Sequence, residues 1–461
     1  MDERTTGIYI HIPFCVKKCN YCAFLSAPAD EETREKYVQA LIKEIECVGK
    51  GESCDCGECK VNFTSRRPIS TVYFGGGTPS VLSPEQIGRI ISALRENFEI
   101  AADAEITLEA NPGTLGGRSS ATDLSEEEKF ADVKLTLHSF RAVGINRLSM
   151  GVQSLNDDVL KFIGRIHTAE DVRRDFKAAR ASGFDNINLD LILSLPVSES
   201  NGAQGAPHNS KSSQEQSLED LREILAMHPE HISCYSLQIE EGTPFSKLYD
   251  QGLLEEISDE EDRDTYHKVC KALRDAGYEH YEISNFAYAG ASGSAGLSRS
   301  PYRSRHNSSY WNMSDYIGLG LGASGFVGGV RYQNTSDLQK YIECLANSGA
   351  GIDFSSIRAD VHINTEHDNI SEAVFTGLRR REGIRYADAV QYLASKANAS
   401  HASDSTDEAQ LAKASFWQYY ADAREEAESF VRSGHLIIDD EGMCLTEAGI
   451  DISNAIMALF V

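Results

Sequence analysis

Between residues 8 and 237 six short apolar runs alternate with five stretches of helical periodicity, and this alternation limits the fold more than any other feature. The apolar runs lie at 8–12, 71–74, 104–108, 147–152, 187–193 and 232–237, and helical stretches at 31–48, 84–97, 125–143, 169–182 and 217–227 separate them. Within the first helical stretch Tyr37, Leu41, Ile45 and Val48 recur on one face, the spacing of a helix laid on a core. Strands separated by helices of this length predict a parallel sheet, curled into an open barrel or doubly wound. Both architectures place ligands at the C-terminal ends of the strands. Polar residues collect there: Glu109, Gln153, Asp190 and the Glu240-Glu241 pair.

The first of these strand ends carries the strongest chemistry. In YIHIPFCVKKCNYCAF, Ile8, Ile10 and Ile12 alternate up to Pro13, and Cys15, Cys19 and Cys22 follow in a CxxxCxxC spacing. Alternation ended by proline reads as a strand entering a loop. A closed zinc site or a cluster held only by protein needs four ligands, and Asn20, Ala23 and Phe24 offer none. Three thiols therefore read as buried cysteines, as a zinc site completed from elsewhere, or as an iron–sulfur cube with one iron left open. The second strand runs into Gly75-Gly76-Gly77-Thr78-Pro79. Glycines here let the backbone approach a ligand and present its N–H groups, although a plain tight turn has the same composition.

Acidic residues outnumber Lys and Arg by 70 to 44 in 461 residues, for a formal charge of -26. Such a surface opposes nucleic acid and anionic membranes. No apolar run approaches the length of a spanning helix. The first residues, with Asp2 and Glu3, lack the basic start of a signal peptide. Eleven cysteines without framework spacing point to a reducing compartment. A soluble cytoplasmic protein is expected. Cys54, Cys56 and Cys59 sit in a glycine-rich insertion that is either a polar loop or, with a further ligand such as Cys47, a second metal site. Polar insertions also occupy 198–216, 290–305 and 395–406. Downstream, HNSSYW at 306–311 reads as a satisfied polar turn with a core tryptophan or as a ligand motif. Beyond 366, helices and a hairpin formed by 436–438 and 443–445 predict a compact winged-helix-like unit. Its acidic sequence opposes DNA binding.

CxxxCxxC behind a first strand resembles the radical S-adenosylmethionine (SAM) superfamily. The Tyr9 and HIPFC that lead into it resemble the branch holding the oxygen-independent coproporphyrinogen III oxidases and the haem chaperone HemW. The resemblance implies an open six-stranded (βα) partial TIM barrel over 1–285, a connecting segment over 286–365 and a C-terminal helical, winged unit over 366–461. It implies a [4Fe-4S] cluster on Cys15, Cys19 and Cys22, and SAM against Tyr9, Tyr21, Gly76, Gly77, Thr78, Glu109, Gln153, Arg165 and Asp190. The chemistry suits those roles, because Glu109 accepts from an amino group, Arg165 pairs with a carboxylate and Asp190 holds ribose hydroxyls. The oxidases carry a further cysteine two residues after the third, and a longer N-terminal region. This chain has Phe24 there and begins eight residues before Tyr9, which favours the chaperone side. So does HNSSYW, similar to that branch's HNxxYW, which assigns haem to His306, Tyr310 and Trp311. The expected partners are haem as cargo, acceptor haemoproteins and an electron donor such as flavodoxin or ferredoxin. Coproporphyrinogen oxidase activity is not expected. The alternatives are that oxidase or a radical SAM enzyme for another small substrate.

Overall fold

The computed structural model describes residues 6–51, 54–55, 60–61, 67–116, 124–196, 211–290, 299–346, 356–393 and 405–461. Cys56 and Cys59, and with them the candidate second metal site, lie outside the described residues, as does most of the three polar insertions.

Six parallel strands form the barrel: β1 (Thr6–Ile12), β2 (Ile69–Gly76), β3 (Ile100–Ala110), β4 (Arg147–Gln153), β5 (Ile187–Leu193) and β6 (His231–Ser236), paired in that order. Helices α1 (Glu31–Gly49), α2 (Pro84–Asn97), α3 (Glu126–Val143), α4 (Ala169–Ala181) and α5 (Ser213–Met227) connect them, and α6 (Asp259–Asp275) follows β6. The local sequence explains where most of these helices start. Capping boxes formed by Ser83 with Gln86, Ser125 with Glu128, Thr168 with Asp171 and Ser212 with Glu215 open α2 to α5, each satisfying N–H groups that the first turn leaves unpaired.

Alternation along the strands separates two environments. Ile8, Ile10, Val72, Phe74, Leu108, Leu148, Leu189 and Ile232 join the apolar core beneath the helices. The intervening positions carry Tyr9, His11, Thr71, Tyr73, Glu105, Glu109, Arg147, Ser149, Asn188, Asp190 and His231. Successive side chains of a strand point to opposite faces, so the barrel lumen is polar from end to end.

Among the described residues the sheet continues past both barrel edges to twelve strands. Beyond β6 it gains the antiparallel hairpin β7 (Tyr278–Glu282) and β8 (Asn285–Tyr288). On the other side β9 (Tyr316–Leu319) pairs parallel to β1, followed by antiparallel β10 (Ser324–Val327), β11 (Val330–Asn334) and β12 (Arg358–Ile363). The fully buried Glu44 of α1 ties this extension down. It accepts from the Gly320 N–H (2.8 Å), Asn334 Nδ2 (2.9 Å) and the Tyr341 hydroxyl (2.6 Å), and pairs with buried Arg358 at 3.4 Å.

A separate apolar cluster over 370–460 centres on Ile370, Val374, Tyr386, Phe416, Leu436 and Phe460. Leu436–Ile438 and Gly442–Leu445 form its hairpin, joined by a third strand, Ile384–Arg385. After the hairpin the chain closes with two short helices, Glu447–Asp451 and Ser453–Met457, and a final 3-10 turn, Ala458–Phe460. This unit is bonded to the barrel hairpin: Ile283 N–H donates to the Arg379 carbonyl (3.2 Å) and Arg381 N–H to that of Tyr281 (3.1 Å).

Candidate functional site

The loop after β1 and the ends of β2 to β5 meet at one mouth of the barrel. Cys15, Cys19 and Cys22 are all half-buried and free. Thr78 Oγ1 donates to Cys15 Sγ at 3.4 Å and Arg165 Nη1 to Cys19 Sγ at 3.5 Å. Burial holds the Cys22 thiol above its ordinary pKa, and Cys19 and Cys15 stand close enough to add to the effect. Among the described residues no three His, Cys, Asp or Glu side chains converge on a single metal ion. A four-iron cube asks for something different, because its cysteines bind separate irons and stand apart around it.

Arg165 joins the elements of the mouth. Its Nη2 donates to Asn111 Oδ1 and to the Gly151 carbonyl, both at 2.6 Å, while Asn111 Nδ2 donates to Thr78 Oγ1 at 2.8 Å. The Nε of Arg165 is buried and finds no acceptor among the described residues. Gln153 lies beside it at a φ of 70°, a left-handed backbone that ordinary side chains rarely adopt. A Cβ at Gly151 would stand 2.9 Å from Gln153 Nε2 and 3.3 Å from Arg165 Nη2. A larger residue there would push the ends of these two side chains from the positions they share at the strand end.

Glu109 sits across the lumen. Tyr73 donates its hydroxyl to Oε1 at 2.7 Å, and the Gly76 N–H donates to Oε2 at 3.1 Å. Burial, with the nearby Asp190 charge adding to it, pushes the carboxyl from 4.5 up to about 7 despite those donors. Gly76, at φ 110°, has the His11 imidazole 2.5 Å from where a Cβ would be, so the turn admits no other residue without displacement. Gly77 and Thr78 donate their N–H groups to the carbonyls of Ile12 and Phe14 at 2.9 and 2.7 Å, fastening the glycine turn to the cysteine loop. Asp190 accepts from Asn188 Nδ2 (2.7 Å) and Ser149 Oγ (3.3 Å), and burial raises its pKa. Tyr9 bonds His11 Nδ1 at 3.0 Å and stacks on Tyr73 at 6.3 Å. Tyr21 lies by Arg165 and Cys19. The mouth thus gathers the three thiols, a cation, a carboxylate set in a glycine turn and a second carboxylate.

HNSSYW is elsewhere. It forms helix α7 (Arg305–Trp311), which closes the opposite, N-terminal end of the barrel. His306 is 1% exposed and both its ring nitrogens are taken, Nδ1 by Thr71 Oγ1 at 2.8 Å and Nε2 by the Tyr310 hydroxyl at 2.7 Å. Burial, then the Arg147 charge, lowers its pKa to about 3, so the ring is neutral. It stacks on Tyr73 with centroids 5.0 Å apart, and Tyr73 holds Glu109. A continuous contact therefore runs from α7 to the mouth. Trp311 points away from the lumen and packs under the Arg379 guanidinium at 4.5 Å. Reading motifs one at a time missed Tyr73, Asn111, Thr71 and Arg147. Strand phase was the signal, because Thr71, Tyr73 and Arg147 hold lumen positions on strands whose alternate residues are apolar.

Comparison with known proteins agrees with this architecture. The sequence profile of the Radical SAM superfamily matches residues 9–201. The chain is 31% identical to the haem chaperone HemW of Lactococcus lactis subsp. lactis (strain IL1403), covering 83% of this chain and 84% of that protein. It is 33% identical to HemW of Bacillus subtilis (strain 168), covering 82% and 84%, and 35% identical to HemW of Escherichia coli (strain K12), covering 70% of each. Among solved structures, the coproporphyrinogen III oxidase HemN of Escherichia coli superposes with a TM-score of 0.70 over 99% of this chain and 90% of that one, at 22% identity. That likeness establishes the shared fold, an open radical SAM barrel with a C-terminal helical unit.

Proposed function

Because the chain belongs to the haem chaperone HemW family of the radical SAM superfamily, we propose that it binds a [4Fe-4S] cluster, SAM and haem, and delivers the haem to acceptor haemoproteins. The observation that carries the cofactor reading is the bridge made by Arg165, which touches Cys19, Asn111 and the end of β4 at once. When bound on Cys15, Cys19 and Cys22, such a cluster supplies one open iron and a single electron, drawn from a flavodoxin- or ferredoxin-like donor. In this reading Arg165 pairs with the SAM carboxylate and Glu109 accepts from its amino group, while Asp190 takes the ribose hydroxyls. Gln153, Gly76 and Tyr9 complete the walls, and Tyr21, Gly77 and Thr78 steady the cysteine loop.

Phe24 supports the chaperone over the oxidase. It stands where the oxidases place a further cysteine, and at 70% exposure it has no packing role to explain it. Of HNSSYW, Ser308, Ser309 and Trp311 line a cavity between α7 and the C-terminal unit, while His306 serves as an iron ligand only by releasing Thr71 or Tyr310. The formal charge of -26 argues against nucleic acid partners. No helix among the described residues is long and apolar enough to cross a membrane. A reducing, cytoplasmic setting suits free cysteines and an oxygen-labile cluster.

The test is to load the anaerobically reconstituted protein with haem, pass it through gel filtration and mix it with an apo-haemoprotein. One haem retained per chain and then transferred is expected. A protein that retains no haem, or keeps it from every apo acceptor, refutes the proposal.

A further inference from the structure

A cavity of about 990 Å3 opens beneath the barrel floor, between α7 and the C-terminal unit. Ser70, near the first residue of β2, lines it, so it lies at the opposite end of the strands from the cysteines. At about 3.3 Å per residue, the length of β2 puts roughly 20 Å between the two. Its size is at the top of the usual range for small-molecule sites, roughly 300–1,000 Å3. Trp311, Met313 and Met443 give it apolar wall, and the indole Nε1 of Trp311 is buried without an acceptor among the described residues.

Its arginines are not equivalent. Arg303 is held by Glu279 and Glu382, Arg299 by Glu382, Arg305 by Asp103 and Arg385 by Glu441. Arg380 has only neutral acceptors, Asn312 Oδ1 at 2.5 Å and the Gly383 carbonyl at 2.7 Å, and its buried Nε has none among the described residues. Burial lowers its pKa, with Arg299 and Arg303 adding to the effect and Glu382 and Asp388 opposing it. Most of the remaining wall is polar, with Ser308, Ser309, Asp388 and Glu441 among its side chains, so Trp311, Met313 and Met443 make one apolar face that shares the cavity with Arg380. A cation with unspent donors in the same cavity as such a face matches a ligand that is apolar on one side and carries carboxylates at its edge.

We propose that this cavity is the haem site, with Arg380 the anchor for a propionate and Trp311 part of the wall. The inference rests on the haem-carrying reading above and places the cargo a strand's length from the cofactor mouth, beyond contact with it. Cargo and cofactor then influence one another only through protein, along Tyr310, His306, Tyr73 and Glu109.

The experiment is a ligand-and-mutant cycle on the full-length, cluster-reconstituted protein. Haem and its dimethyl ester, which lacks both carboxylate charges, are titrated into the wild type, Arg380→Gln and Arg380→Lys. Loss of one charge-assisted pair is worth roughly tenfold in affinity. Arg380→Gln is expected to bind haem about tenfold more weakly, with Arg380→Lys recovering part of the loss. The ester should bind the wild type more weakly than haem does, and that difference should shrink by about the same tenfold in Arg380→Gln. Unchanged haem affinity in Arg380→Gln overturns the site, as does an ester penalty that persists in full. Perturbation of the cluster's resonance by SAM reports that the variants are folded. If the wild type retains no haem at all, the chaperone reading itself fails, which is a different result from haem binding that ignores Arg380.

Discussion

The pH dependence of SAM binding tests the assignment of Glu109 most sharply. Its carboxyl is raised from 4.5 to about 7, chiefly by burial, a preference for the neutral form of about 3 kcal/mol. That figure is an upper bound, because solvent reaches part of the side chain at the strand ends. A group raised above its unfolded value gives its full stabilisation below about pH 4.5 and loses it as pH rises through about 7. SAM makes the opposite demand, because its amino group donates to the carboxylate. Between pH 5 and 7, wild-type SAM affinity should therefore climb by up to about tenfold per pH unit and then level off, while thermal stability declines over the same window. Glu109→Gln, neutral at every pH, should flatten both curves, bind SAM more weakly at pH 8 and melt higher there. Equilibrium dialysis against the reduced, cluster-loaded protein and parallel thermal melts measure the two curves. A flat wild-type affinity from pH 5.5 to 8, or the same slope in Glu109→Gln, would show that Glu109 does not receive the amino group.

Replacing Cys15, Cys19 and Cys22 together by alanine should reduce iron and sulfide after reconstitution to background; a full cluster in that variant refutes the ligand set. His306→Ala removes the ring beneath Tyr73 and should weaken SAM binding several-fold while leaving the haem absorption spectrum unchanged, whereas a shifted Soret band would make His306 an iron ligand. Glu44→Ala leaves buried Arg358 without its carboxylate and takes an acceptor from Tyr341 and Asn334. It should cost roughly 3–5 kcal/mol of stability by denaturant unfolding, and a loss below about 1 kcal/mol would contradict the role given to that network.

The barrel was legible because each unit carries its own local signals. Ile8, Ile10 and Ile12 alternate, and Ser83, Ser125 and Thr168 stand where helices must begin, so neither needed a distant partner to be read. The strand at 316–319 was not legible. Its glycines look like a loop, and only the fold brings Tyr316 beside Gly7, some three hundred residues earlier in the chain. The same holds for the candidate site. Cysteine spacing and the glycine turn are local, whereas the Arg165 bridge to Asn111 and Cys19 exists only once three strand ends converge. His306 shows the limit of motif reading. A histidine opening HNSSYW suggests a ligand, yet its two nitrogens bond Thr71 and Tyr310, and its face supports Tyr73.

A barrel that carries haem and one that makes its precursor behave differently in a single paired assay. The reduced, SAM-loaded protein is given coproporphyrinogen III in one anaerobic vessel and haem in another, and porphyrins are separated by chromatography. Stoichiometric haem retention with no decarboxylated porphyrin is the predicted result. Catalytic conversion of coproporphyrinogen III to protoporphyrinogen would contradict it, whatever the fate of the haem.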